Sequence, residues 1–306
     1  MTAVRLAHCG PPQALARALG APTVRLAHKV TAQGENVLAG MKGVDALPKT
    51  SAPALLVFYA YLKPFLKAKG GYVYRDWSLD SGAYTAHASG KPVDLQAFIE
   101  TAKNLLATDE TLTEVFALDV IGDWRASLRN TETMWKAGVP AIPCYHVGEP
   151  EDVLMALARD YPKIALGGRG GVSYAKKTAW ARQCFARVWP KRVHGFGVGS
   201  KEEILALPWH SVDATNWEIG ATKYGRWHAF GQLSIRGSGH NLRAEVEHYL
   251  AIERAAQARW KKEMAQLEAE APAPSVRLAT ALGGGGTIKR IGAALAPRQE
   301  GPECES

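Results

Sequence analysis

The chain has 306 residues, 47% hydrophobic and 22% charged, which permits a large buried core and leaves room for one α/β barrel of about 250 residues. Its formal charge of +8 and pI near 9.3 imply a basic surface, facing a polyanionic partner such as nucleic acid or simply water. No apolar run approaches the roughly 20 residues of a membrane span, and no signal-peptide core opens the chain, so a cytosolic, reduced protein is expected.

The four cysteines (Cys9, Cys144, Cys184 and Cys304) are scattered, with no C-x-x-C pair and no histidine at zinc-ligand spacing. Neither a structural metal site nor a disulfide framework is expected, and no cofactor is called for.

Along the chain, Val4-Arg-Leu-Ala-His8 and Val24-Arg-Leu-Ala-His28 each have the composition of a short strand, and residues 34–51 read as a loop. From Pro53 onward apolar, β-rich runs alternate with helical patterns. The expected strands are 54–60, 76–80, 115–119, 140–146, 163–167, 192–197 and 210–213, with helices near 94–107, 127–137, 150–159, 175–188 and 200–207. Adding one N-terminal strand makes eight, so the expected fold is α/β, a (β/α)8 TIM-like barrel over residues 1–240, with an open doubly wound sheet as the alternative. Residues 241–270 have the helix propensity and mixed charge of one long C-terminal helix, and residues 271–306, with Gly283-Gly-Gly-Gly286, have the composition of a disordered tail.

In such a barrel the loops after the strands build the site. The expected strand ends carry Asp80 and Tyr84, then Asp119 with Asp123 and Trp124, then His146, then Gly167-Gly-Arg-Gly-Gly171, then Phe196-Gly-Val-Gly199, and last Asp213. Three carboxylates, an imidazole, glycine turns and aromatic rings on one face suit a planar heterocyclic ligand. Each has a plainer reading as well: His146 as a structural histidine, Phe196 as core, Gly167–Gly171 as a phosphate cradle or bare loop, and Asp123 as a helix cap.

These residues resemble the tRNA-guanine transglycosylases over roughly residues 50–220. The family's Asp-Ser-Gly-Gly-aromatic motif is similar to Asp80-Ser-Gly-Ala-Tyr84, its acid on a Phe-Asp strand end to Asp119, its Gly-Gly turn to Gly167-Gly168, and its Met-Gly-Val-Gly before an acidic helix start to Phe196-Gly-Val-Gly199-Ser-Lys-Glu-Glu203. The resemblance implies a (β/α)8 barrel that exchanges a guanine in a polynucleotide for a 7-deazaguanine through a covalent aspartyl intermediate. Asp80 would then be the general acid/base, Asp119 the acceptor for the guanine edge, Gly167 and Gly168 backbone donors to O6, and Tyr84 and Phe196 the rings enclosing the base, with Ser81, His146 and Gly197 beside it. An ungapped count puts the nucleophile on Asn216, an amide. Asp213, the carboxylate on that strand end, takes the role if the register shifts locally; otherwise it is a structural acid and the chain is impaired or uses another residue.

The family's zinc-binding cysteines are missing, and Trp217-Glu-Ile-Gly-Ala-Thr-Lys-Tyr-Gly-Arg-Trp227 stands where the tRNA enzymes have Pro-Thr-Arg. The sequence looks most like the divergent phage-associated branch that places 7-deazaguanines in DNA, which implies DNA as partner and the 7-cyano base preQ0 as donor. Arg169, Lys176, Lys177, Lys223 and Arg226 are the candidate phosphate contacts, with Trp217, Tyr224 and Trp227 for stacking. Exchange on tRNA, and a catalytically silent nucleic-acid binder, are the alternatives.

Overall fold

The architecture follows from a chain in which short apolar runs recur between amphipathic ones. The structure is a computed structural model and describes residues 22–29, 32–40, 52–168, 173–220 and 239–270. Eight strands are present among them: β1 (Thr23–His28), β2 (Ala54–Phe58), β3 (Trp77–Asp80), β4 (Leu112–Val115), β5 (Cys144–His146), β6 (Lys163–Gly167), β7 (Arg192–Gly195) and β8 (Ser211–Ala214). All are parallel, in the order β4-β3-β2-β1-β8-β7-β6-β5. A parallel bridge between Phe116 and Ile142 joins the two ends, with Ile142 N–H donating to Val115 O (2.8 Å) and Ala117 N–H to Ile142 O (2.9 Å). The ring is therefore closed, and the fold is a TIM-like (β/α)8 barrel.

The helices are α1 (Ala32–Gly40), α2 (Leu62–Ala68), α3 (Ala83–Ser89), α4 (Leu95–Thr108), α5 (Trp124–Lys136), α6 (Glu151–Asp160), α7 (Tyr174–Val188), α8 (Lys201–Ala206), α9 (Gly239–Arg259) and α10 (Lys261–Glu270). Side chains such as Phe98 and Ala102 of α4 or Val153 and Leu157 of α6 bury against the outer faces of the strands. Asp94, Asp123 and Ser200 cap α4, α5 and α8 by accepting from backbone N–H groups of Ala97, Ala126 and Glu203. Asp123 is thus a helix cap, as its plainer reading had it.

Several expectations need correction. The loop expected from residue 34 is in part α1, and Gly34 lies inside that helix, where a Cβ would come 2.5 Å from Glu218 Oε1, so the close approach favours glycine there. The β2 strand stops at Phe58 and turns through a short 3₁₀ segment (Tyr59–Tyr61) into α2. The expected 115–119 strand is shifted toward the N-terminus, so Asp119 follows β4 rather than ending it. The 140–146 run is regular only over Cys144–His146, since Pro140 and Pro143 have no N–H to pair. The C-terminal helix is two, interrupted at Trp260, and α9 is part of the barrel wall. Glu253 of α9 accepts from Val24 N–H (2.7 Å) and from Arg75 (2.8 Å), and the Tyr249 hydroxyl donates to Gly199 O (2.8 Å). Val4–His8 and the tail from Ala271 lie outside the described residues.

Strand register sorts the interior into layers, because alternate residues face the axis. At the N-terminal end lie Arg25, Ser78, Glu114, Lys163 and Ser211, buried; Ser78 meets Glu114 on the neighbouring strand, and Lys163 and Arg25 reach across strands that are not neighbours. Lys163 donates to Glu114 (2.5 Å) and to Ser211 (2.8 Å), and Arg25 approaches Glu114 at 3.3 Å. Burial pulls Lys163 down to about 8, whereas Glu114, against the cost of its burial, is held well below the carboxylate range by Lys163 and Arg25. The middle layer is apolar: Ala27, Leu56, Phe116, Ile142, Cys144 and Ala165, with Phe58 and Phe196 packed above it.

Candidate active site at the mouth of the barrel

The same alternation that seats these layers brings Phe58, Asp80, His146, Gly167, Phe196 and Asp213 to the C-terminal mouth, joined by Asp119 from the segment after β4. Phe116, His194 and Phe196 form an aromatic floor, with ring centroids 4.5–4.7 Å apart.

Asp80 ends β3, and Gly82 N–H donates to its Oδ1 (3.0 Å). That turn needs Gly82 at φ 70°, where a side chain would be strained. Burial pushes the Asp80 carboxyl up to about 7; the Gly82 bond opposes this, and the charges of Asp213 and Asp119 add to it. A carboxyl at this value is divided between its acid and base forms at neutral pH.

Asp213 is 4% exposed on β8, and its Oδ1 accepts from Gly197 N–H (2.8 Å) while His194 Nε2 lies at 3.5 Å, long for a hydrogen bond. His194 is buried, its Nδ1 is 2.9 Å from Ser211 Oγ, and burial lowers its pKa, so the ring beside Asp213 is neutral. Asn216 opens a π-helical turn (Asn216–Gly220), is exposed, and has its amide nitrogen 3.2 Å from where a Cβ on Gly199 would stand.

Asp119 Oδ2 stands 3.3 Å from His146 Nε2, and its Oδ1 is buried without a hydrogen-bond partner. His146 Nδ1 faces Glu149 Oε1 at 3.0 Å, and the same glutamate accepts from His146 N–H through Oε2 (3.0 Å). Burial pushes Asp119 up, against the His146 interaction, and pushes the Cys144 thiol up to about 12. His146 is raised above the imidazole range by the Cys144 sulfur, Asp119 and Glu149; with the thiol neutral at pH 7, the two carboxylates are what hold the proton.

The structure thus gathers Asp80, Asp119, His146, Gly167, Gly168, Phe196 and Asp213. It assigns three other expected residues different work. Ser81 is buried, and its hydroxyl donates to Ala117 O (3.0 Å), tying β3 to the β4 segment rather than facing a ligand. The Gly197 amide holds Asp213. Tyr84 is 74% exposed on α3 and does not face Phe196, because helical geometry after Gly82 turns it outward. Lys176 is exposed and Lys177 half-buried on α7, while Arg169, Lys223 and Arg226, with Tyr224 and Trp227, lie outside the described residues. Trp217 is fully buried, with its indole N–H on Ala27 O (3.1 Å), and is no stacking platform.

Sequence reasoning missed Cys144, Glu149, His194, Phe58 and Lys29, whose ammonium lies 5.5 Å from the Phe58 ring centroid. The detectable signal was spacing: Cys144-x-His146 on a strand points two donors the same way, and Glu149 follows His146 by one turn.

No protein-family model and no curated protein matches the chain. Among solved structures, it is similar to the tryptophan synthase alpha chain of Legionella pneumophila, at 10% identity and TM-score 0.46, covering 81% of this chain and 95% of that one. It is also similar to a chain assigned as a fructose-1,6-biphosphate aldolase from Coccidioides immitis, at 16% identity and TM-score 0.43, covering 84% and 94%. These values are too low to lend this chain any function, and the reading rests on the site.

Proposed function

We propose that the chain is a guanine transglycosylase that exchanges guanine in DNA for a 7-deazaguanine, with preQ0 as the donor. The observation that carries this reading is the division of labour among three carboxylates at one barrel mouth: Asp80 poised near neutrality, Asp213 held by a backbone amide, and Asp119 with a buried oxygen lacking a partner. Base exchange at a sugar needs these roles, an acid/base matched to the working pH, a fixed nucleophile and an acceptor for the base edge.

In this scheme Asp213 Oδ2 attacks C1′ of the deoxyribose, the C1′–N bond breaks, and Asp80 gives its proton to the departing guanine. The products are an aspartyl-deoxyribosyl ester and free guanine. Incoming preQ0 then loses a proton to Asp80, its nitrogen attacks C1′, and Asp213 leaves as carboxylate. Asp119 Oδ1 accepts from the N1–H and 2-amino donors of either base, and the Phe196 ring lies under its plane. To reach a base in a duplex the protein must flip it, at a few kcal/mol, which phosphate contacts from a chain of charge +8 help to offset.

The test is incorporation of labelled preQ0 into guanine-containing DNA beside bulk tRNA, with trapping of the covalent adduct on denaturing gels. Label is expected in DNA, with both label and adduct lost in Asp213→Ala and the adduct retained in Asn216→Ala. Label in neither polymer, or an adduct that survives Asp213→Ala, refutes the scheme; label in tRNA alone refutes DNA as the substrate.

A further inference from the structure

We propose that Asp119, Cys144 and His146 form a three-ligand site for zinc at the inner wall of the barrel mouth. Their donor atoms come from two adjacent segments, the one after β4 and strand β5, which the Phe116–Ile142 bridge holds side by side. A carboxylate oxygen, the thiol sulfur and an imidazole nitrogen all lie within 4.8 Å of one another. The 3.3 Å between Asp119 Oδ2 and His146 Nε2 matches the edge of about 3.3 Å in a tetrahedron whose metal–ligand bonds are about 2.0–2.1 Å.

Glu149 settles which nitrogen is presented. One of its oxygens is fixed by His146 N–H, so the other, 3.0 Å from Nδ1, fixes the ring with its Nδ1 proton toward the glutamate. Nε2 then points at the Asp119 carboxylate and the Cys144 sulfur, a position that either its own proton or a metal cation can fill. A carboxylate behind a ligating histidine is also what orients such a ring and raises its basicity at metal centres. Two further observations favour a metal over a proton alone. Asp119 Oδ1 is buried with no protein partner, so the carboxylate is not satisfied by the imidazole. The wall opposite the sulfur is Gly167, where a Cβ would come 2.7 Å from Cys144 Sγ and 3.3 Å from His146 Cδ2, so only glycine leaves the cluster its room.

Mixed sulfur, nitrogen and oxygen donors suit zinc and exclude the all-oxygen preferences of magnesium and calcium. On binding, zinc takes the place of the Cys144 thiol proton, and of any proton on Nε2; these pass to solvent, and the three lone pairs form the bonds. Three protein ligands leave a fourth position open, the pattern of catalytic rather than structural zinc. The site stands whether or not the transglycosylase reading holds, since metal binding is measured without turnover.

The full chain is stripped with chelator, reloaded with Zn2+, desalted and assayed for metal by mass spectrometry, and titrated in parallel with Co2+. One equivalent of zinc and a thiolate-to-cobalt charge-transfer band are expected. Cys144→Ser should abolish the band, Glu149→Gln should keep it but weaken zinc binding about 10–100-fold, and the Cys9→Ser/Cys304→Ser double variant should match wild type. Failure of the wild-type chain to retain zinc or develop the band overturns the site. Survival of the band in Cys144→Ser also overturns it, by placing the metal elsewhere.

Discussion

Replacing Asp80 with asparagine should stabilise the fold at neutral and alkaline pH while abolishing base exchange. Burial, with Asp213 and Asp119 adding to it, lifts this carboxyl from 3.8 to about 7. The folded state thus holds the proton more tightly than the unfolded chain does. Below about pH 4 both states are protonated and the residue costs nothing. Between pH 4 and 7 the unfolded chain ionises first, and stability falls with rising pH until the folded carboxyl ionises too. At 1.36 kcal/mol per tenfold change in proton affinity the full gap is worth ~4 kcal/mol, and solvent access at the open mouth reduces it to ~2 kcal/mol.

Asparagine keeps the carbonyl oxygen that accepts from Gly82 N–H, so the turn survives while the charge does not. Urea unfolding of wild type and Asp80→Asn at about pH 4.5, 6 and 8 should show the variant's advantage growing with pH toward ~2 kcal/mol. The variant should also lose turnover. A stability difference that does not change with pH, or one favouring wild type at the alkaline end, would refute the argument that this carboxyl is buried against its charge.

The alternation of strands and helices was legible because strands covered on both faces read as unbroken apolar runs; Lys163–Gly167 has the bounds its sequence suggests. Asp80, His146, Gly167, Phe196 and Asp213 were legible for the same reason, since a strand end fixes which side chains reach the mouth. What escaped was set by tertiary contact. Gly34 opens the stretch read as a loop yet sits in α1, where the lack of a Cβ leaves room for Glu218. Tyr84 reads as a lid until α3 turns it to solvent. Cys144 was passed over as a partner of His146 because zinc motifs are sought at helix and knuckle spacings, whereas a strand aligns residues two apart. The charged layer of Arg25, Glu114 and Lys163 has no local signature, since each residue alone resembles a solvated strand end.

Two further substitutions test how the interior supports the site. Gly197→Ala has open space for its Cβ but forces a side chain into φ 64°, a cost of about 1–2 kcal/mol, and shifts the amide that holds Asp213. The turnover number for base exchange should fall with little change in KM for the incoming base, because that amide touches the nucleophile; an equal kcat would refute its role. Lys163→Met removes the cation between Glu114 and Ser211, leaving Glu114 buried with Arg25 at 3.3 Å and the Ser78 hydroxyl at 3.4 Å. Stranding a buried charge costs about 3–5 kcal/mol, more than the pair itself contributes. The Lys163→Met/Glu114→Leu double variant should therefore recover most of the loss in chemical denaturation, since Arg25 retains Asp76 at 2.6 Å. A double variant less stable than the single one would show instead that the layer stabilises the barrel as a whole, through Ser211 and His194 up to the carboxylate of Asp213.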